Sequence, residues 1–177
     1  PRGVPLIVCA TSGTTVLGAF DDVAAIAEVC RKYDLWLHVD ASWGGAAAFL
    51  PHDAPERSVL AGLENAHSIT INPHKLLGVT HQCSFLLVHD KSVLIPPSHS
   101  DGGYLFHVPA EDALDMATKT LGCGRRGDAL KFYLVWLRYG TQGLGDHIAH
   151  GLRMAQALWQ RLQRIPSLEL GPHADPL

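Results

Sequence analysis

Cysteine is sparse in this chain of 177 residues: Cys9, Cys30, Cys83 and Cys123 stand far apart, with no CxxC pair. That spacing excludes a disulfide scaffold and a cysteine zinc site, and it fits a reducing, cytoplasmic compartment. Charge of one sign is lacking too. Fourteen basic residues against 17 acidic ones leave a net charge of only -3, so no footprint for nucleic acid or an anionic membrane surface exists. No apolar run approaches the roughly 18 residues needed to cross a bilayer. Charged residues make up 18% and hydrophobic ones 47%, which excludes a disordered tail and a solvated linker. One domain, or one and a fraction, with a real core remains. An initiator methionine and a signal-peptide pattern are also missing. The chain opens Pro1-Arg2-Gly3-Val4-Pro5 and closes near an incipient strand, Leu168-Glu169-Leu170, so it reads as an excerpt from a longer protein.

What is present is an alternation of strand and helix signals. Leu6-Ile7-Val8-Cys9-Ala10, bounded by Pro5 and Thr11-Ser12-Gly13, reads as a buried strand. Asp21 and Asp22 can cap a helix whose inward face is Val23, Ile26, Ala27 and Cys30. Further strands are expected over 35–40, 68–71 and 84–89. Strand, helix, strand within forty residues implies a right-handed crossover and a largely parallel, buried sheet. The chain is therefore α/β. Beyond Ile95 the texture changes. Pro96-Pro97-Ser98-His99-Ser100-Asp101-Gly102-Gly103 reads as a mobile surface loop. Residues 128–139 are apolar nearly all round and stop before Gly140, which predicts a buried helix. Residues 144–165 carry one apolar stripe (Ile148, Leu152, Ala155, Trp159, Leu162, Ile165) and predict a helix lying on a surface.

In an open parallel sheet, ligands bind outside the carboxyl ends of the strands. Three polar sequences occupy such ends: Thr11-Ser12-Gly13-Thr14-Thr15, Asp40-Ala41-Ser42-Trp43-Gly44-Gly45 and Asn72-Pro73-His74-Lys75. Asp40 ends what reads as a buried run, where a carboxylate must be paired or hydrogen-bonded. Taken alone it is better explained as a cap on the following turn. Lys75 in a dry cleft would be a usable amine nucleophile, although most loop lysines are simply exposed. His74 is a candidate acid or base, weakened by the presence of eleven histidines. His67, His74 and His81 recur every seven residues, but Pro73 breaks any helix that could align them, so no metal site is expected. Arg125 and Arg126 suit a carboxylate or a phosphate, and equally a structural ion pair. Trp36, Trp43, Trp136 and Trp159 are most economically core or interface residues. A strand-terminal aspartate followed some thirty residues later by a strand-terminal His-Lys is what a pyridoxal phosphate site needs.

These blocks, with Gln82-Cys83-Ser84, Gly103-Tyr104-Leu105-Phe106 and Cys123-Gly124-Arg125-Arg126, closely resemble the group II pyridoxal-dependent amino-acid decarboxylases, in the glutamate and cysteine sulfinate decarboxylase branch. The resemblance implies a fold type I, transferase-like architecture. Residues 1–140 would be the C-terminal half of the cofactor-binding large domain, with a mobile loop over 96–106. Residues 141–177 would be the linking helix and the start of a small C-terminal domain. It further implies that Lys75 makes the Schiff base with pyridoxal 5'-phosphate and that Asp40 pairs with its pyridinium nitrogen. Asn72 and His74 would lie beside the phosphate, Thr15 would contact the cofactor, and Ser42 would pack on the ring where the family usually has alanine. Tyr104, on the loop, would return a proton to the α-carbon. The loop 96–103 and the stretch 108–121 depart from the common pattern. The implied reaction is decarboxylation of a small acidic amino acid (glutamate, cysteine sulfinate or aspartate) by a homodimer. Alternatives are a transaminase, a desulfurase, an oxidative decarboxylase, or a silent relative acting in association. Because a cofactor-stacking histidine and a phosphate-binding loop belong upstream in the family, the 177 residues alone are expected to be inactive.

Overall fold

The computed structural model describes residues 3–94 and 124–171. Four strands form one sheet in the order β1 (Ile7–Thr11), β2 (Trp36–Asp40), β3 (Ser68–Ile71) and β4 (Phe85–Val88). β1 and β2 run parallel, in register from Ile7 opposite Trp36 to Thr11 opposite Asp40. β2 and β3 are also parallel, with His38 opposite Ser68 and Asp40 opposite Thr70. β4 is antiparallel to β3. The sheet is thus mostly parallel, as the sequence implies, and β4, whose direction the sequence leaves open, is antiparallel.

The crossover from β1 to β2 is the helix α1 (Val23–Lys32). Asp22 caps it, accepting a hydrogen bond from Ala25 N at 3.0 Å, while Arg31 and Lys32 in the last turn complement the helix dipole. Asp21 does something else: its carboxylate accepts from Thr11 N at 2.8 Å and ties the end of β1 to the loop. The α1 face formed by Val23, Ala27 and Cys30 packs on Ala10, Leu37 and Val39, the first core cluster. Strand alternation then turns Trp36, His38 and Asp40 to the opposite face. β2 is therefore not the continuous buried run read from sequence, and Asp40 lies on its open face. β1 is likewise not buried as expected. Its only strand partner in the sheet among the described residues is β2, and Leu6 and Ile7 stay exposed.

The connection from β2 to β3 uses short 3-10 turns, Gly44–Phe49, Pro55–Leu60 and Leu63–Asn65, in place of an α-helix. Arg57 staples them by donating from Nη1 to the carbonyls of Ala48 and Leu50, each at 2.7 Å. The last long element, α2 (Asp128–Leu162), is broken at Gly140, whose φ of 66° and ψ of 178° are not helical. Glycine adopts that conformation without the Cβ clash other residues meet. Past the break, Leu144 and Ile148 join Ala46, Leu50, Leu77, Val79 and Cys83 in a second core cluster. Before it, Phe132 and Val135 pack inward, but Leu130, Leu134 and Leu137 remain exposed. The fully buried helix expected over 128–139 is not what the chain builds: one face has a partner and the other has none among the described residues.

Candidate active site

The site is assembled by the parallel register. Because β1, β2 and β3 point the same way, their three following loops meet at one edge of the sheet. Ser12 N donates to the Asp40 carbonyl at 2.8 Å, and Ala41 N to the Thr70 carbonyl at 2.9 Å. The first two loops then touch backbone to backbone, with Gly44 N donating to the Ser12 carbonyl at 3.0 Å. Glycine is obligatory here on both sides. A Cβ on Gly13, whose φ is +90°, would lie 2.8 Å from Gly44 N, and one on Gly44 would lie 2.6 Å from the Ser12 carbonyl oxygen.

Onto this frame the sequence hangs a carboxylate, an amine and an indole. Asp40 Oδ1 accepts from Ser42 N at 3.0 Å. Partial burial by itself pushes the Asp40 carboxyl up. The Ser42 hydroxyl and N–H, followed by the charges of Lys75 and His38, outweigh it and hold the group below its ordinary value. Lys75 Nζ lies 5.1 Å from the centroid of the Trp43 ring, within cation–π range. The turn that presents it is closed by Lys75 N to the Asn72 carbonyl at 2.9 Å and Val79 N to the Pro73 carbonyl at 3.1 Å. His74, next to Lys75, has its Nδ1 held by the backbone of Cys83, 3.0 Å from N and 2.6 Å from O. Only its Nε2 is left for a ligand.

Three side-chain atoms in this region are buried without a hydrogen-bond partner: Ser12 Oγ, Trp43 Nε1 and Asn72 Oδ1. They belong to the loops after β1, β2 and β3, one to each. A buried polar atom left unpaired costs on the order of 1–3 kcal/mol, so three at one sheet edge mark a place built to receive a polar ligand. An amine beside a carboxylate, an aromatic wall and unpaired polar atoms together fit a charged heteroaromatic aldehyde such as pyridoxal phosphate. Beyond His74, whose ring meets His81 edge-on at 4.5 Å, a cavity of about 330 Å³ is lined by His81, Gln82, Arg125, Arg126 and Asp128.

The family model of the pyridoxal-dependent decarboxylase conserved domain matches residues 2–173. The chain belongs to the pyridoxal-dependent decarboxylase family. It is 45% identical over 174 residues to the L-aspartate decarboxylase of Metarhizium robertsii, covering 97% of this chain and 34% of that protein. To the cysteine sulfinic acid decarboxylase of Homo sapiens it is 45% identical over 170 residues, covering 94% of this chain and 34% of that protein. The crystal structure of mouse CSAD superposes with a TM-score of 0.82 at 42% identity, over 96% of this chain and 35% of that one. The chain thus spans about a third of the length of the relatives it matches, and its fold is that of fold type I decarboxylases.

Of the site residues read from the sequence of this member of the pyridoxal-dependent decarboxylase family, Asp40, Ser42, Asn72, His74 and Lys75 fall within the strand-end region. Thr15 is exposed in the turn after β1, whereas Ser12 and Gly13 make that loop's contacts with the end of β2. Tyr104 and the loop 96–106 lie outside the described residues. Trp43 and Ser12, which the sequence analysis places in strand-end blocks without naming them as candidates, lie in the same region. Composition alone makes Trp43 a core or interface residue, but its place in Asp40-Ala41-Ser42-Trp43-Gly44 at a strand end is a usable signal.

Proposed function

We propose that the protein containing this chain decarboxylates a small acidic L-amino acid, aspartate, cysteine sulfinate or glutamate, to the corresponding amine and carbon dioxide. The observation that carries the reading is Lys75 set over Trp43 and electrostatically coupled to Asp40, at the carboxyl ends of three parallel strands. Lys75 is assigned to hold the cofactor aldehyde. Asp40, kept ionised by Ser42 and Lys75, is assigned to hold a proton on the ring nitrogen. Bound there, pyridoxal phosphate would serve as the sink for the electron pair released with carbon dioxide. Asn72 Oδ1, Ser12 Oγ and the free Nε2 of His74 supply polar contacts near the phosphate or ring, Thr15 an exposed contact from the first loop, and Ser42 the wall under the ring. Tyr104 is assigned to return the proton to the α-carbon. Arg125 and Arg126, lining the neighbouring cavity, suit a substrate carboxylate.

Acidic substrates follow from the similarity to an L-aspartate decarboxylase and a cysteine sulfinic acid decarboxylase. We assign the domain boundary to residues 140 and 141, a reading supported by the non-helical backbone at Gly140. A cytoplasmic homodimer is the assigned state; the free thiols of Cys9, Cys30 and Cys83 accord with a reducing compartment. The deciding experiment takes the full-length protein with added pyridoxal phosphate. A visible band that borohydride abolishes, leaving the label on Lys75, with amine formed from an acidic amino acid, is the expected result. No covalent label, or a keto acid or aldehyde in place of the amine, would overturn the assignment. Sedimentation of a fully active monomer would remove the dimer.

A further inference from the structure

His38 stands on β2 two residues before Asp40, on the same open face of the sheet, and so about 7 Å along the strand from it. Both of its ring nitrogens are engaged. Nδ1 lies 2.8 Å from Ser68 Oγ and Nε2 lies 3.3 Å from Thr70 Oγ1. Trp36 Nε1, which can only donate, gives its hydrogen to the same Ser68 Oγ at 2.9 Å. Trp36 is in turn backed by the ring of His67, 5.0 Å away. The parallel register explains the arrangement: His38 pairs with Ser68, and Asp40 pairs with Thr70. The imidazole therefore joins its own row of the sheet to the row that carries Asp40, and it cannot rotate without breaking two hydrogen bonds.

The groups that face this pair are few. Asp40 is met by Ser42 and Lys75 from the following loops and by His38 from its own strand. His38 is met by Ser68 and Thr70 on β3, with Cys9 as its register partner on β1. Resting on the assignment above, Lys75 is committed to the cofactor aldehyde, whereas His38 shares the open face of β2 with Asp40 and reaches its register partner Thr70. We propose that His38 is a positioning residue for Asp40: locked at both nitrogens by Ser68 and by Thr70, the register partner of Asp40, it fixes the end of β2 against β3 and so sets where the Asp40 carboxylate stands. A histidine that merely pins β2 to β3 would affect stability alone. One that acts through Asp40 also changes how the cofactor is bound and how it absorbs.

The test uses the full-length protein in five forms: wild type, His38→Leu, His38→Gln, Ser68→Ala and Asp40→Asn. Pyridoxal phosphate affinity is read from quenching of tryptophan fluorescence in the apoprotein, and the cofactor's electronic state from the ratio of its visible bands. His38→Leu, which removes both hydrogen bonds to the β3 hydroxyls, is expected to weaken cofactor binding by up to about tenfold. It should also move the band ratio in the direction of Asp40→Asn. His38→Gln, which keeps a donor toward Thr70, should recover most of both effects. Ser68→Ala, which frees Nδ1 without altering Asp40 or Lys75, should move both in the same direction by less. Wild-type affinity and spectrum in His38→Leu, beside an impaired Asp40→Asn, would overturn this inference alone. If His38→Leu does not fold, unchanged affinity and spectrum in Ser68→Ala overturn it instead. A wild-type protein with no visible band would sink the cofactor reading and the role of His38 together.

Discussion

The strand-end cluster and the first half of α2 are opposite outcomes of the same kind of sequence signal. Around the loops after β1 and β2, a polar and glycine-rich sequence ends up interlocked, with Ser12 fully buried and Gly13 against Gly44. Along residues 128–139 an apolar sequence ends up half in water, with Leu137 at 65% exposure. Apolar periodicity says which residues seek cover; it does not say whether this stretch of chain supplies that cover. Backbone approach, by contrast, buries small and polar residues that no hydrophobicity count would select.

The comparison can be broken or sharpened in order of effect size. Removing the amine at its centre should do the most: in the full-length protein, Lys75→Ala is expected to lower turnover by at least about 10³-fold, measured by amine formation at saturating substrate. A loss below tenfold would mean the cluster is structural. Next comes packing. Gly44→Ala puts a Cβ against the Ser12 carbonyl, and overpacking of this kind costs about 1–3 kcal/mol, read as a lowered midpoint in urea. An unchanged midpoint would show that the loops are not in backbone contact.

A smaller effect is expected from acid. The folded-state pKa of Asp40 lies below its ordinary value of 3.8. Its ionised form therefore adds stability that is complete above about pH 5 and is lost as pH falls through the folded pKa. The stability difference between wild type and Asp40→Asn should be constant at neutral pH and vanish in strong acid; a difference that grows on acidification would reverse the sign assigned to Ser42 and Lys75. Smallest of all is Leu137→Gln, whose side chain has little to lose where it stands. Its cost in this chain should be within about 0.5 kcal/mol. A loss of several times that in the full-length protein would show that another part of it covers this face.

Much of this was legible beforehand, for local reasons. β3 spans the residues expected, β2 begins one residue late, and Asp22 caps α1 as its position suggested. Gly140 interrupts the helical run where glycine was read as a stop. The 3-10 crossover between β2 and β3 was not legible, because turns of three to six residues carry no periodicity. Nor was the antiparallel β4: strand direction leaves no mark on a short apolar segment. The locked imidazole of His38 escaped notice because its partners lie about thirty residues away.

By its order of residues alone the chain dictated an alternating α/β framework and the chemistry available at three strand ends: a carboxylate at Asp40, an amine at Lys75 and glycines at 13 and 44. Those follow from short-range forces, capping, pleat alternation and steric freedom, which act between neighbours in the chain. Only tertiary structure decided that the indole of Trp43 meets Lys75, that Gly44 N reaches the Ser12 carbonyl, and that one face of α2 is left open among the described residues. Each of these depends on residues far apart in the chain, brought together or left apart by how whole strands and helices pack.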